Sequence, residues 1–298
     1  MRIASLLPSA TEIVCALGLE DDLVAVTHEC DYPDSVRAKP ALTRSVLPGG
    51  SSGAEVDRHI RELVHQGSSI YALDADRLAA LRPDLILTQE LCEVCAVSYP
   101  IVERAARRLG SAPQLVSLEP ESLDDVFQNI LSVGRLVDRE GTAQEICDGL
   151  RRRITTVEQR VGGRPRRRVV CLEWVDPPYN CGHWTPELVA IAGGADLLGV
   201  TGQPAHPLHW GQVIEARPEV VVVMACGFSL ERSLREVELA GGRFDALAAE
   251  LWVVDGNAYF SRPGPRLVDS VEIMAGILHP EAVDPPPLNS ARRLRPMR

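Results

Sequence analysis

The sharpest chemical signal in the chain is a pair of thiols two residues apart, Cys92-Glu-Val-Cys95. Thiols at that spacing can chelate one soft metal ion or close a redox disulfide. A complete zinc site needs more ligands, and the natural candidates are His28 and Cys30, whose strand end should lie near the one that precedes Gln89. Thiolate and imidazole donors favour zinc or another transition metal over calcium or magnesium. With Glu29 or Glu90 alongside, the same set could run a zinc-activated or thiol reaction. The plain alternative is cysteines packed as small apolar side chains, the reading taken for Cys15 and Cys147 on apolar helix faces. No glycine-rich phosphate loop, serine nucleophile elbow or complete metal signature accompanies the thiols, so binding leads over catalysis.

A second set is aromatic. Only 4% of the residues are aromatic, yet Trp174, Tyr179, Trp184, Trp210, Phe228, Tyr259 and Phe260 fall in the loops of the second half. Core packing explains any one ring; a cluster at strand ends is harder to explain that way. His183 stands one step before a helix predicted over Thr185–Ala192, either as a metal ligand or as an ordinary residue of the capping loop. Arg262 could pair with a carboxylate or phosphate on a ligand, or cap the helix that follows.

The elements that must position these residues alternate strand and helix. Strands are predicted at Ile3–Leu7, Leu23–Thr27, Leu85–Thr88 and Gln114–Leu118, with helices at Ala10–Leu17 (capped by Ser9), Glu55–Gln66 and Pro100–Leu109. In open α/β sheets, ligands sit beyond the carboxyl ends of the strands. That rule selects Ser9, the His28-Glu29-Cys30 group, Gln89 and Glu90 in the first half. In the second it selects Glu173 and Trp174 after Val169–Leu172, Phe228 after Val220–Met224, and Asn257, Tyr259, Phe260 and Arg262 after Trp252–Asp255.

Between the halves, apolar residues at helical spacing from Leu123 to Val161 predict one long helix, with Gly134 and Gly141 as points where it could be interrupted. Two stretches repeat in the same order. Ala10–Thr27 matches Trp184–Thr201, and Leu81–Cys92 matches Ala216–Gly227. The expected fold is α/β, with two Rossmann-like βα lobes joined by a long backbone helix: 1–119, 120–162 and 163–280, then a Pro- and Arg-rich tail over 281–298 expected to be disordered.

Charge and composition narrow the partners. A net charge of −10 argues against nucleic acid and anionic membrane, and no apolar run is long enough to span a bilayer. The opening MRIASLLPSATEIV lacks the apolar core of a secretory signal and reads as a strand entering a helix. Together with eight cysteines, this makes reduced thiols in the cytoplasm the expectation.

RIASLLPSATEIVCALGLEDDLVAVTHECDYP, the RPDLIL strand and GHWTPELVAIAGGADLLG resemble the periplasmic-binding-protein fold with a helical backbone, over about residues 2–280. That group serves uptake of cobalamin, iron-siderophores, haem and metal ions, and within it the sequence is most similar to cobalamin-binding receptors. The resemblance implies a cleft between the lobes that takes a corrinoid or related metal complex, with flat rings stacking on a flat macrocycle and His183 as an axial ligand to the cobalt. It also implies an ABC permease or other acceptor protein, met by one acid per lobe, Glu12 and Glu187.

Overall fold

The computed structural model describes residues 1–65, 69–90, 98–110 and 112–295. Cys92 and Cys95 lie outside the described residues. The chain forms two compact units, one of Met1–Ser51, Glu55–Glu119 and Phe127–Cys147, the other of Ser52–Ala54, Pro120–Val126 and Asp148–Arg298.

The first unit runs β1 (Ile3–Ser5), α1 (Pro8–Ala16), β2 (Leu23–Ala25), β3 (Thr43–Ser45), α2 (Gly53–His65, of which Gly53 and Ala54 belong to the second unit), β4 (Tyr71–Leu73), α3 (Ala75–Leu81), β5 (Leu85–Thr88), α4 (Tyr99–Arg107) and β6 (Gln114–Ser117). Its sheet has the order β2-β1-β5-β6, all parallel, and β3 pairs antiparallel with β4 apart from it. Every residue of Leu85–Thr88 is buried, as its continuous apolar run requires of a strand covered on both faces. Ala4, Leu6, Leu42, Leu78, Ile86 and Val102 form the core of this unit. Ser9 is not the cap of α1. The helix starts at Pro8, whose missing N–H costs nothing in a first turn, and Ser9 is buried inside that turn.

The predicted long helix is two helices. α5 (Leu123–Leu136) and α6 (Glu140–Val161) run side by side in opposite directions: the Cys147 thiol reaches the Phe127 carbonyl at 3.7 Å, and Gly134 stands against Ala143. The reversal falls at Asp138, in the left-handed region at φ 54°. At Gly134 an added Cβ would sit 2.5 Å from that of Ala143, so only glycine lets the helices approach there.

The second unit runs β7 (Arg167–Val175), β8 (Pro178–Asn180), α7 (Thr185–Ile191), β9 (Gly194–Asp196), α8 (Trp210–Glu215), β10 (Val220–Val223), α9 (Leu230–Ala240), β11 (Glu250–Val254), α10 (Leu267–Leu278) and β12 (Ala291–Arg295). Within its sheet β9-β7-β10-β11 repeats the order and direction of β2-β1-β5-β6. The two matched sequence stretches therefore occupy equivalent places in two sheets of one design. Val170, Leu172, Val221, Val223, Leu251 and Val253 centre this core.

The tail expected to be disordered instead carries β12, antiparallel to β11. Arg293 pairs with Glu250 at 3.2 Å, and Arg295 donates to the Phe244 and Ala249 carbonyls. Pro and Arg content pointed to disorder because it takes no account of an open sheet edge nearby.

Candidate functional site

In the second unit, several of the selected side chains come together. The rings of Trp174 and Phe228 lie 4.7 Å apart, tilted at 57°, and the Arg232 guanidinium sits 3.5 Å over the Phe228 ring. Trp174 donates its indole N–H to the Gly53 carbonyl at 3.2 Å, while the Glu236 carboxylate accepts the Gly53 N–H at 2.9 Å. The backbone carbonyl of Phe228 accepts the Asn257 N–H at 3.0 Å. Glu173 and Trp174 lie inside β7 rather than beyond its end, because the strand runs on to Val175. Gly53, Arg232 and Glu236 were not among the residues selected from sequence. Gly53 closes a run of glycine and serine from Gly49, a composition that signals a loop and no more.

A neighbouring group forms around His183, which lies in the left-handed region at φ 48°. Its N–H donates to the Gln203 carbonyl at 2.7 Å and its own carbonyl accepts from Gly202 at 3.0 Å. Burial holds its imidazole below the usual histidine pKa, and its Nδ1 has no hydrogen-bond partner among the described residues. The ring stacks on Trp184 at 5.6 Å, and Trp184 donates to the Phe260 carbonyl at 2.9 Å. Phe260 and Arg262 are buried, and Tyr259 lies 5.7 Å below the Arg266 guanidinium. Glu173 accepts the Gly182 N–H at 3.0 Å, and burial pushes its carboxyl up to about 7.

In the first unit, both imidazole nitrogens of His28 are engaged. Nδ1 lies 2.7 Å from the Thr43 hydroxyl and Nε2 lies 3.3 Å from Glu29. Cys30 is buried with its sulfur 3.1 Å from the hydroxyls of both Thr11 and Thr27, the surroundings of a packed thiol. Gln89 is buried, and Glu90 is exposed with its N–H on Glu119. Among the described residues, the three-ligand grouping suited to a metal is Cys171, Cys181 and Asp196, and neither His28 nor Cys30 belongs to it. Glu12 is only 3% exposed, and Glu187 accepts the Leu123 N–H at 2.9 Å. Neither stands free on the surface, because both acids lie in the buried early turns of their helices.

The family description "Periplasmic binding protein" matches residues 3–241. The chain belongs to that family. A Vitamin B12-binding protein of Vibrio cholerae serotype O1 is 25% identical over 277 residues, covering 91% of this chain and 86% of its own. The solved periplasmic vitamin B12 binding protein BtuF of Vibrio cholerae superposes with a TM-score of 0.65 at 22% identity, over 93% of this family member and 96% of its own chain. A periplasmic heme binding protein from Pseudomonas aeruginosa reaches a TM-score of 0.71 at 18% identity, over 99% and 95%. The two-lobed α/β fold class expected from sequence is the fold of these proteins.

The same comparisons overturn the cytoplasmic expectation, since the family is one of periplasmic binding proteins and the two solved structures are of periplasmic proteins. The thiol count misled because cysteines can be buried one at a time in either compartment. Cys30, Cys147, Cys171 and Cys181 are all buried here. No described helix is long and apolar enough to cross a membrane.

Proposed function

We propose that this periplasmic binding protein carries a corrinoid, held against the strand-end loops of its second unit. The observation that carries the reading is the Trp174–Phe228 ring pair, steadied by the Gly53 carbonyl on one side and the Arg232 guanidinium on the other. Rings fixed in this way bury large area against a flat ligand at low entropy cost. The similarity to the Vibrio cholerae Vitamin B12-binding protein over most of both chains supports the choice of ligand class. On this reading His183, whose imidazole burial holds below the usual histidine pKa, would approach the metal of such a ligand. On this reading an ABC permease receives the ligand.

Titration with cyanocobalamin, followed by absorbance and calorimetry, tests the proposal. Saturable binding at one corrinoid per chain is expected, weakened at least tenfold in Trp174→Ala. A flat titration at high corrinoid concentration rejects the ligand class.

A further inference from the structure

Along one edge of β7 two different strands take turns. β9 runs parallel to Arg167–Val169, and β8 runs antiparallel to Leu172–Val175, while β10 holds the opposite edge. Cys171 falls in the seam where one partner ends and the other begins. The Leu172–Asn180 pairing puts Cys181 on the next rung, opposite Cys171. Asp196, the last residue of β9, arrives at the same seam from the other side. The two sulfurs and a carboxylate oxygen all lie within 4.8 Å of one another.

We propose that Cys171, Cys181 and Asp196 bind a thiophilic divalent metal ion of the zinc class within the second unit, separately from any ligand held by the loops.

The geometry suits such an ion. In a tetrahedral zinc centre, bonds of about 2.3 Å to sulfur and about 2.0 Å to oxygen place neighbouring donors about 3.5–3.8 Å apart. Cys181 Sγ is 3.3 Å from Asp196 Oδ2, close to that edge length. The carboxylate is already aimed, because its Oδ1 accepts the N–H groups of Leu198 and Gly199 and leaves Oδ2 to the thiols. Gly199 closes over the cluster, where an added Cβ would lie 2.7 Å from Cys181 Sγ and 2.9 Å from Asp196 Oδ1. Cys171 and Cys181 are buried, which keeps water and competing ligands away.

The test uses the full chain with Cys92 and Cys95 changed to Ser, so that the thiols outside the described residues cannot contribute. Reduced protein is titrated with Co²⁺ and Zn²⁺. One equivalent of Co²⁺ should give a sulfur-to-metal charge-transfer band. Zinc-edge X-ray absorption should find two sulfur neighbours near about 2.3 Å. Asp196→Asn should weaken zinc at least tenfold, and Cys181→Ser should abolish the charge-transfer band. Zinc coordinated by oxygen and nitrogen alone would overturn the proposal, even if either variant fails to fold. Isolation of the parent with Cys171 and Cys181 joined as a disulfide in the presence of zinc would overturn it too.

Discussion

The Glu187 carboxylate accepts the backbone N–H of Leu123 at 2.9 Å, so a side chain of α7 satisfies the opening turn of α5. A helix start leaves several N–H groups without partners, and a charged acceptor there is among the stronger hydrogen bonds. Glu187→Ala should therefore lower the free energy of unfolding by about 1–2 kcal/mol, with Glu187→Gln losing less. Urea denaturation checks this, and a fully stable Glu187→Ala would remove the capping role.

Glu173 sets a pH dependence. Its carboxyl titrates at about 7 in the fold against an ordinary 4.5, chiefly because it is buried. Between those values the native chain holds a proton that the unfolded chain has released. Stability is thus fully present below about 4.5 and falls as pH rises through about 7, by on the order of 3 kcal/mol. Asp255, also raised by burial, adds a slope of the same sign. Thermal unfolding from pH 4.5 to 8 should show this decline, and Glu173→Gln should flatten most of it.

Arg153 forks onto two carboxylates of α10, at 2.5 Å from Asp269 and 2.7 Å from Glu272. Lysine has the charge but not the fork. Because all three groups are partly exposed, Arg153→Ala should cost only about 1 kcal/mol, less in high salt, and Arg153→Lys should recover under half of that. Chemical denaturation at two ionic strengths separates these outcomes.

Gly256 opens the turn that carries Asn257, Tyr259 and Phe260, and it packs directly on the end of β10. An added Cβ there would collide with the Ala225 carbonyl oxygen and the Met224 backbone. Backbone cannot step aside as a flexible side chain can, so Gly256→Ala should destabilise by about 3 kcal/mol or more. A melting temperature within a few degrees of the parent would show that the turn can shift.

The sheets were the legible part. Leu85–Thr88 and Val220–Val223 are unbroken apolar runs after Arg-Pro-acid steps, and both are fully buried central strands. Strand ends led to Trp174, Phe228 and Asn257, which do meet, because parallel topology sends consecutive loops to one end of a sheet. The reversal at Asp138 was hidden because apolar spacing continues across it on both sides, so periodicity alone cannot tell one helix from two packed face to face. Gly53 was hidden for another reason. It joins the Trp174 group through backbone atoms, which residue type does not advertise. The Cys171–Cys181–Asp196 grouping depends on strand register, and no local spacing records it.

β12 has a consequence for solubility. By pairing with β11 it covers a row of main-chain donors and acceptors that would otherwise accept a strand from another molecule. Its own outer rim carries the exposed Arg292 and Arg293, and long charged side chains on an edge strand discourage pairing with another copy. A chain cut before Ala291 would keep its sheet order yet lose this guard, and its first symptom should be concentration-dependent clumping rather than a lower melting point.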